Sequence, residues 1–220
     1  MTEDTARKSR STRTERVRRA SQLRRAQQKE ELRQAILRAA GELFLQHGYE
    51  AFSLRQVAEY LGYSATTIYL YFDNKDALLF AVADDAYRLF CEAEWQAFMS
   101  TVDPIQRLLA IGRAYIEFGL AHPTAYKLMF VQRTDFLVGH VKGETHPRID
   151  SFKTSEQAVR LAMEAGAIRQ GDPAIVFGAL WSMVHGLVML ALTMPEFTPE
   201  ATSHVMEEAF SILLHGLVPA

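Results

Sequence analysis

Cys91 is the only cysteine in this 220-residue chain. No disulfide can therefore close within it, and no Cys-x-x-Cys pair offers a zinc or redox site. A reducing cytoplasm suits such a chain. The punctuation of β structure is missing as well. No Asn-Gly or Asp-Gly turn joins two alternating runs, and period-two alternation is scarce, so hairpins are excluded and the chain reads as all-α. Also absent are a Gly-rich phosphate loop, a Gly-x-Ser-x-Gly elbow and a His-Glu-x-x-His helix. Without them an enzyme is the lesser alternative, and no cofactor is expected. Histidines at 122, 140, 146, 185, 204 and 215 have no metal-ligand spacing, so no metal site is expected.

Charge is scarce in one place. Pro173 to Pro195 contains no Asp, Glu, Lys or Arg and is long enough to span a bilayer at about 20 residues. A membrane scaffold built on it is a second alternative. Against that, Gly178, Ser182, His185 and Gly186 interrupt the run, its flanks lack aromatic and Lys/Arg anchors, and the neighbouring segments are amphipathic. The expectation is a core or interface helix and no membrane partner.

What is present is ordinary for a folded domain: 49% hydrophobic and 23% charged residues. The formal net charge of −2 conceals an asymmetry, because residues 1–30 hold ten Lys/Arg against four Asp/Glu. The basic end is the natural nucleic-acid contact. No apolar stretch follows it, so it is no secretory signal, and Glu3, Asp4 and Glu15 argue against a transit peptide.

Helix signals then follow one another along the chain. Residues 1–13 are expected to be disordered, and good helix formers from Thr14 to Leu32 lead into a first core helix. Its stripe of Leu32, Ile36, Ala40, Leu43 and Phe44 buries one face, and Gly48 stops it. Ser53, with Gln56 three residues on, opens a second helix whose apolar face is Leu54, Val57, Ala58 and Leu61. Gly62 permits a turn, Ser64 caps a third helix from Ala65 to Tyr69, and Asp73 or Asn74 caps a fourth from Lys75 to about Met99. Asp103-Pro104 starts a helix to about Ala121, and a brief one runs from Tyr126 to Val131. Residues 132–147, with Gly139, Gly143 and Pro147, read as a loop before a helix from about Arg148 to Ala165. Asp172-Pro173 and Thr198-Pro199 open the last two, giving about nine helices.

Two short helices joined by a glycine turn, the second exposing small polar residues, suit a major groove about 12 Å wide. Such units also occur as plain packing elements. The run from Phe52 to Leu79 contains Ile68-Tyr69-x-Tyr71-Phe72-x-x-Lys75 and follows Ala39-Ala40-x-x-Leu43-Phe44-x-x-x-Gly48-Tyr49. Over about residues 30–80 it closely resembles the DNA-binding domain of the tetracycline-repressor (TetR) family.

The resemblance implies a basic arm at 1–27, a three-helix helix-turn-helix DNA-binding domain at 28–75, and a helical ligand-binding and dimerisation domain at 76–220. The implied activity is that of a ligand-responsive regulator, a repressor rather than an activator. Its partners would be palindromic double-stranded operator DNA, a second copy of itself and an unknown small-molecule effector. Ser64, Ala65, Thr66 and Thr67 lie at the start of the recognition helix, where short side chains let the backbone approach base edges and phosphates. The resemblance places Tyr69 and Tyr71 against the DNA backbone, Lys75 on a phosphate at a helix N-terminus, and Arg55 on a guanine. Alternatively Tyr69 belongs to the core and Arg55 is a solvated charge. Ile68 and Phe72 are assigned to the core.

The C-terminal half is similar to the family in architecture. Its stretches Trp181-Ser182-Met183-Val184-His185-Gly186 and His122-Pro123-x-x-Tyr126-x-x-Met129-Phe130 resemble a subgroup named for Trp, His and Gly. Gly178, Ser182 and Gly186 recur every four residues and suit close helix approach. Candidate ligand-lining residues are Tyr115, Phe118, Tyr126, Met129, Phe130, Phe152, Trp181, His185 and Met189, large apolar groups with a few polar tips. For each, plain core packing is the alternative, and His185 is a hydrogen-bonded core histidine, a ligand-orienting group or a metal ligand.

Overall fold

Gly48 adopts φ 72° and ψ 173°, breaking the helical path inside α1 (Thr2–Ala51), where the sequence placed a stop. The computed structural model describes residues 2–131 and 152–217, with side chains from 18 and up to 216. Residues 2–13, expected to be disordered, continue the same helix. The high helix propensity of the Arg, Gln, Ala and Glu residues that follow carries the helix back through them. The expected loop at 132–147, the helix start at Arg148, and His140 and His146 lie outside the described residues.

The remaining elements are α2 (Leu54–Leu61), α3 (Ala65–Tyr69), α4 (Lys75–Met99), α5 (Pro104–Ala121), α6 (Pro123–Phe130), α7 (Lys153–Glu164), α8 (Pro173–Thr193) and α9 (Pro199–Leu217). Among the described residues every element is helical. Caps set the starts. Asp103 Oδ1 accepts from the Gln106 N–H at 2.8 Å, Asp172 Oδ1 from Ala174 at 2.9 Å, and Thr198 Oγ1 from Ala201 at 3.3 Å. Of the two candidates for α4, Asn74 is the cap, its Oδ1 accepting from Ala77 at 2.8 Å. α6 starts at Pro123, three residues before the expected Tyr126, because proline's fixed φ suits a first helical turn.

The chain divides into two compact units, Met1–Leu79 and Phe80–Ala220. In the first, Ile36, Ala40, Leu43 and Phe44 of α1 meet Leu54, Val57 and Ala58 of α2, Ile68 of α3 and Phe72, all buried. Full burial of groups such as Ile36, Val57 and Ile68 contributes about 1.5–3 kcal/mol each. In the second unit α5 is central, packing on α6, α7 and α8. One cluster gathers Phe90, Tyr115, Tyr126, Val188 and Phe210, and another Val159, Ala162, Met163, Ile168 and Val176. A Cβ at Gly119 of α5 would stand 2.5 Å from Val188 Cγ1, and one at Gly112 2.9 Å from Phe210 Cζ. These two glycines let α8 and α9 approach α5. Above Gly178 and Gly186 of α8, by contrast, the space is open.

α8 has the length and composition to cross a membrane, and 22% of its most apolar window is buried. Val176, Val184, Leu187 and Val188 face inward, and the helix packs on α5, α7 and α9.

Candidate DNA-reading helix and effector chamber

Gly62 takes φ 72° and ψ 25°, a left-handed conformation that glycine reaches at little cost. Its N–H bonds to Glu59 O at 3.1 Å and that of Tyr63 to Ala58 O at 2.9 Å, closing α2 tightly so that α3 can begin three residues later. Ser53 and Ser64 cap the two helices through the Gln56 and Thr67 N–H groups. The expected capping box is altered: the Ser53 hydroxyl donates to Gln56 Oε1 at 2.9 Å, a side-chain link instead of a return to the Ser53 backbone.

Ile68 and Phe72 turn into the core as expected. The opposite side of α3 faces outward, with Thr66 exposed and Tyr69 half exposed at 50%. Ser64 and Thr67 share a 2.9 Å hydroxyl contact, so both are engaged in the cap, and Ala65 is half-buried. Arg55 on α2 is exposed and pairs with no side chain among the described residues. Tyr71 is half-buried and lines a groove with Tyr63 and with Arg25, Gln28 and Lys29 of α1. The Lys75 ammonium is partly committed: it donates to Tyr49 O at 3.0 Å and lies 3.9 Å from the centre of the Tyr49 ring. The Tyr49 hydroxyl donates in turn to Asp76 Oδ1 at 2.5 Å, tying the segment after Gly48 to the start of α4.

In the second unit, α4, α5, α7, α8 and α9 surround a cavity of about 70 Å³. Its wall is largely apolar, including Leu108, Ile111, Val159, Phe177, Leu180, Val184 and Phe210. Tyr115, Phe152 and Trp181 of the sequence-predicted set reach it. Phe118, Tyr126 and Met129 are buried in the adjoining core, with Phe130 and Met189 packed against it.

His185 stands behind the wall, bonded to it through two tyrosines. Trp181 Nε1–H donates to the Tyr115 hydroxyl at 3.0 Å, which lies 3.1 Å from both the Tyr126 hydroxyl and His185 Nδ1, and the Tyr126 hydroxyl is 2.6 Å from Nδ1. Each hydroxyl has one proton, so in the tautomer with Nδ1 unprotonated Tyr126 donates to Nδ1 and Tyr115 donates to Tyr126. Burial lowers the His185 pKa, consistent with that neutral ring. Burial raises both tyrosine pKa values, that of Tyr126 to about 12. Among the described residues no group of three His, Cys, Asp or Glu side chains is placed to hold a metal.

Sequence reasoning missed Glu94. It is 1% exposed, lines the chamber, and accepts the Ser155 hydroxyl on Oε1 at 2.7 Å. Among the described residues its Oε2 has no partner. Burial pushes its pKa up to about 8, only partly opposed by the Ser155 bond. The signal was available: Ala83, Tyr87, Phe90 and Glu94 follow one another at helical spacing, putting an acid on a buried stripe.

The profile described as "Bacterial regulatory proteins, tetR family" matches residues 36–82, covering the helix-turn-helix, and that described as "Tetracyclin repressor-like, C-terminal domain" matches residues 108–218. The chain belongs to the TetR family. It is a transcriptional regulator with a helix-turn-helix DNA-binding domain, not an enzyme. Neither match singles out the Trp-His-Gly subgroup. Among similar TetR relatives, the HTH-type transcriptional activator FasR of Mycolicibacterium smegmatis is 32% identical over 102 residues, 46% of this chain and 47% of FasR. The chain thus spans about half the length of that relative. The HTH-type transcriptional regulator RutR of Escherichia coli is 27% identical over 158 residues, 68% of this chain and 70% of RutR. A solved structure of a protein with unknown function from Rhodococcus sp. RHA1 aligns with a TM-score of 0.66 at 26% identity, covering 86% of this chain and 96% of that one.

Proposed function

We propose that this regulator is a homodimeric repressor that binds a near-palindromic operator and leaves it when a small, largely apolar molecule occupies the chamber. The observation that carries the reading is the division of α3: Ile68 is fully buried while Thr66 and Tyr69 are exposed, as is Arg55 of α2. Such a helix presents short polar and aromatic groups for a major groove while its back holds it in the unit. Thr66, Tyr69 and Arg55 would meet bases and phosphates. Ser64, Ala65 and Thr67 set the approach of the backbone, and Tyr71 and Lys75 serve the phosphates flanking the reading helix.

Dimerisation is assigned to the outer faces of α8 and α9. Ile175 is 71% and Ile212 63% exposed, Met194 and Val205 are exposed too, and Gly178, Ser182 and Gly186 form a line of small residues with open space above the glycines. An apolar face with small residues suits close pairing with a second copy, and two-fold pairing dictates a two-fold operator. Repression is favoured over activation because a dimer lying on a promoter excludes polymerase without a further contact surface.

The effector reading rests on the chamber. At about 70 Å³ it is smaller than the ~300–1,000 Å³ of ordinary ligand sites, so an effector must displace wall side chains. α4 carries Lys75 in one unit and Glu94 in the other, and movement along it would couple ligand to DNA. A regulator working in this way would act in the cytoplasm, where it meets the genome.

The test is a promoter bearing the operator selected by the purified protein, fused to a reporter. Transcription should fall when the regulator is expressed and recover with a compound that raises its melting temperature. Transcription that rises with the regulator contradicts repression.

A further inference from the structure

The chamber's polar groups are few, and most are already spent. The Trp181 N–H is given to Tyr115, and the Tyr115 proton is given to Tyr126. The Ser155 hydroxyl is given to Glu94 Oε1. Among the described residues, the one buried side-chain oxygen or nitrogen without a partner is Glu94 Oε2. A buried polar atom left unmatched inside an apolar wall is costly, and a ligand that matches it recovers that cost.

We propose that Glu94 and Ser155 form the head-group site of the chamber, and that the effector is an uncharged, mostly apolar molecule presenting one hydrogen-bond acceptor, such as a carbonyl, to Glu94 Oε2. The proposal rests on the reading of the chamber as the effector site. Because Oε1 receives the Ser155 proton, the acid's own proton belongs on Oε2, which makes Oε2 the donor. The raised pKa of the carboxyl keeps that proton in place at neutral pH.

A cationic effector fits less well. It requires ionised Glu94, which burial opposes, and an ammonium would give up its hydration for a wall that is almost entirely apolar. An anionic effector would meet no Lys, Arg or His on that wall. Apolar surface is supplied by Phe152, Phe177, Leu180 and Trp181, so affinity comes from the body of the ligand and selectivity from its head.

Calorimetric titration and scanning of the full chain with three probes of one shape test this. Cyclohexanone offers an acceptor, methylenecyclohexane replaces that oxygen by carbon, and cyclohexylamine offers a cation. Both neutral probes should bind the wild type. Glu94→Leu should reduce the preference for ketone over alkene on the order of tenfold while leaving alkene affinity intact. Glu94→Gln should keep the preference, since its amide still donates to the ketone while its oxygen accepts from Ser155. An unchanged preference in Glu94→Leu overturns the head-group site and leaves the chamber standing. Tighter binding of the amine with proton release overturns it in favour of a cation site. Failure of all three probes to bind removes the effector chamber itself.

Discussion

The hydroxyl of Tyr126 lies 2.6 Å from Nδ1 of His185, joining α6 to α8 through a side-chain bond inside the second unit. Replacing His185 by Leu should strand that hydroxyl and cost about 1–3 kcal/mol of stability, whereas His185→Gln, which keeps an acceptor, should cost less. Urea denaturation of the two variants checks this. Equal losses for both would mean the bond contributes little beyond side-chain volume. The same histidine has a pH signature. Burial lowers its folded-state pKa below the ordinary 6.5, so the unfolded chain binds the extra proton first. Its contribution to stability is present above about pH 6.5 and is lost as the pH falls below that value. Stability of His185→Gln measured from pH 7.5 to 5 should fall less steeply than that of the wild type.

Glu94 acts in the opposite sense. Its pKa is raised from 4.5 to about 8 when folded, so the folded state holds the proton more tightly between those values. Stability should therefore decline as the pH rises from about 4.5 to 8. Glu94→Gln should remove that decline and gain a few kcal/mol at pH 9. Parallel denaturation profiles for wild type and variant would contradict the buried protonated acid.

Helix starts were largely legible, because Ser53, Ser64, Asp103, Asp172 and Thr198 announce them through short-range bonds made within one turn. The inward turn of Ile68 and Phe72 was equally local, following from helical spacing. The chamber was only partly legible. Glu94 lines it because α5, α7 and α8 converge on α4, and the Trp181–Tyr115–Tyr126–His185 chain spans three helices; neither depends on neighbours in sequence. Glycine spacing was ambiguous for the same reason: Gly178 and Gly186 show a regular repeat, yet Gly112 and Gly119 are the ones pressed against other side chains.

That contrast yields a paired expectation. Gly119→Ala should lower the stability of the folded chain by about 1–3 kcal/mol, since its methyl would overlap Val188. Gly186→Ala should leave the subunit's fold intact and weaken self-association instead. Thermal melts and sedimentation equilibrium separate the two. Unchanged association in Gly186→Ala would move the interface off this line of α8.

The basic N-terminal stretch of α1 is a separate candidate contact with DNA. Arg18, Arg19, Arg24 and Arg25 are exposed along it. Deleting residues 1–26 should weaken binding to all DNA sequences and flatten the dependence of log affinity on log salt by about 0.9 for each phosphate that this stretch neutralises. Identical salt slopes for full and truncated chains would show that it does not touch DNA.

The most direct test of the account is selection by the purified protein from a randomised duplex library, read at two salt concentrations for wild type, Arg55→Ala, Thr66→Ala, Tyr69→Ala and Lys75→Ala. The wild type should enrich a near-palindrome with half-sites about one helical turn apart or further. Arg55→Ala and Thr66→Ala should each flatten preference at a position within the half-site, by about 1–3 kcal/mol of discrimination where the side chain bonds its base in bidentate fashion. Tyr69→Ala and Lys75→Ala should weaken good and poor sites alike. Enrichment of no sequence, or of one without two-fold symmetry that the α2 and α3 variants leave unchanged, would contradict operator reading by this helix pair.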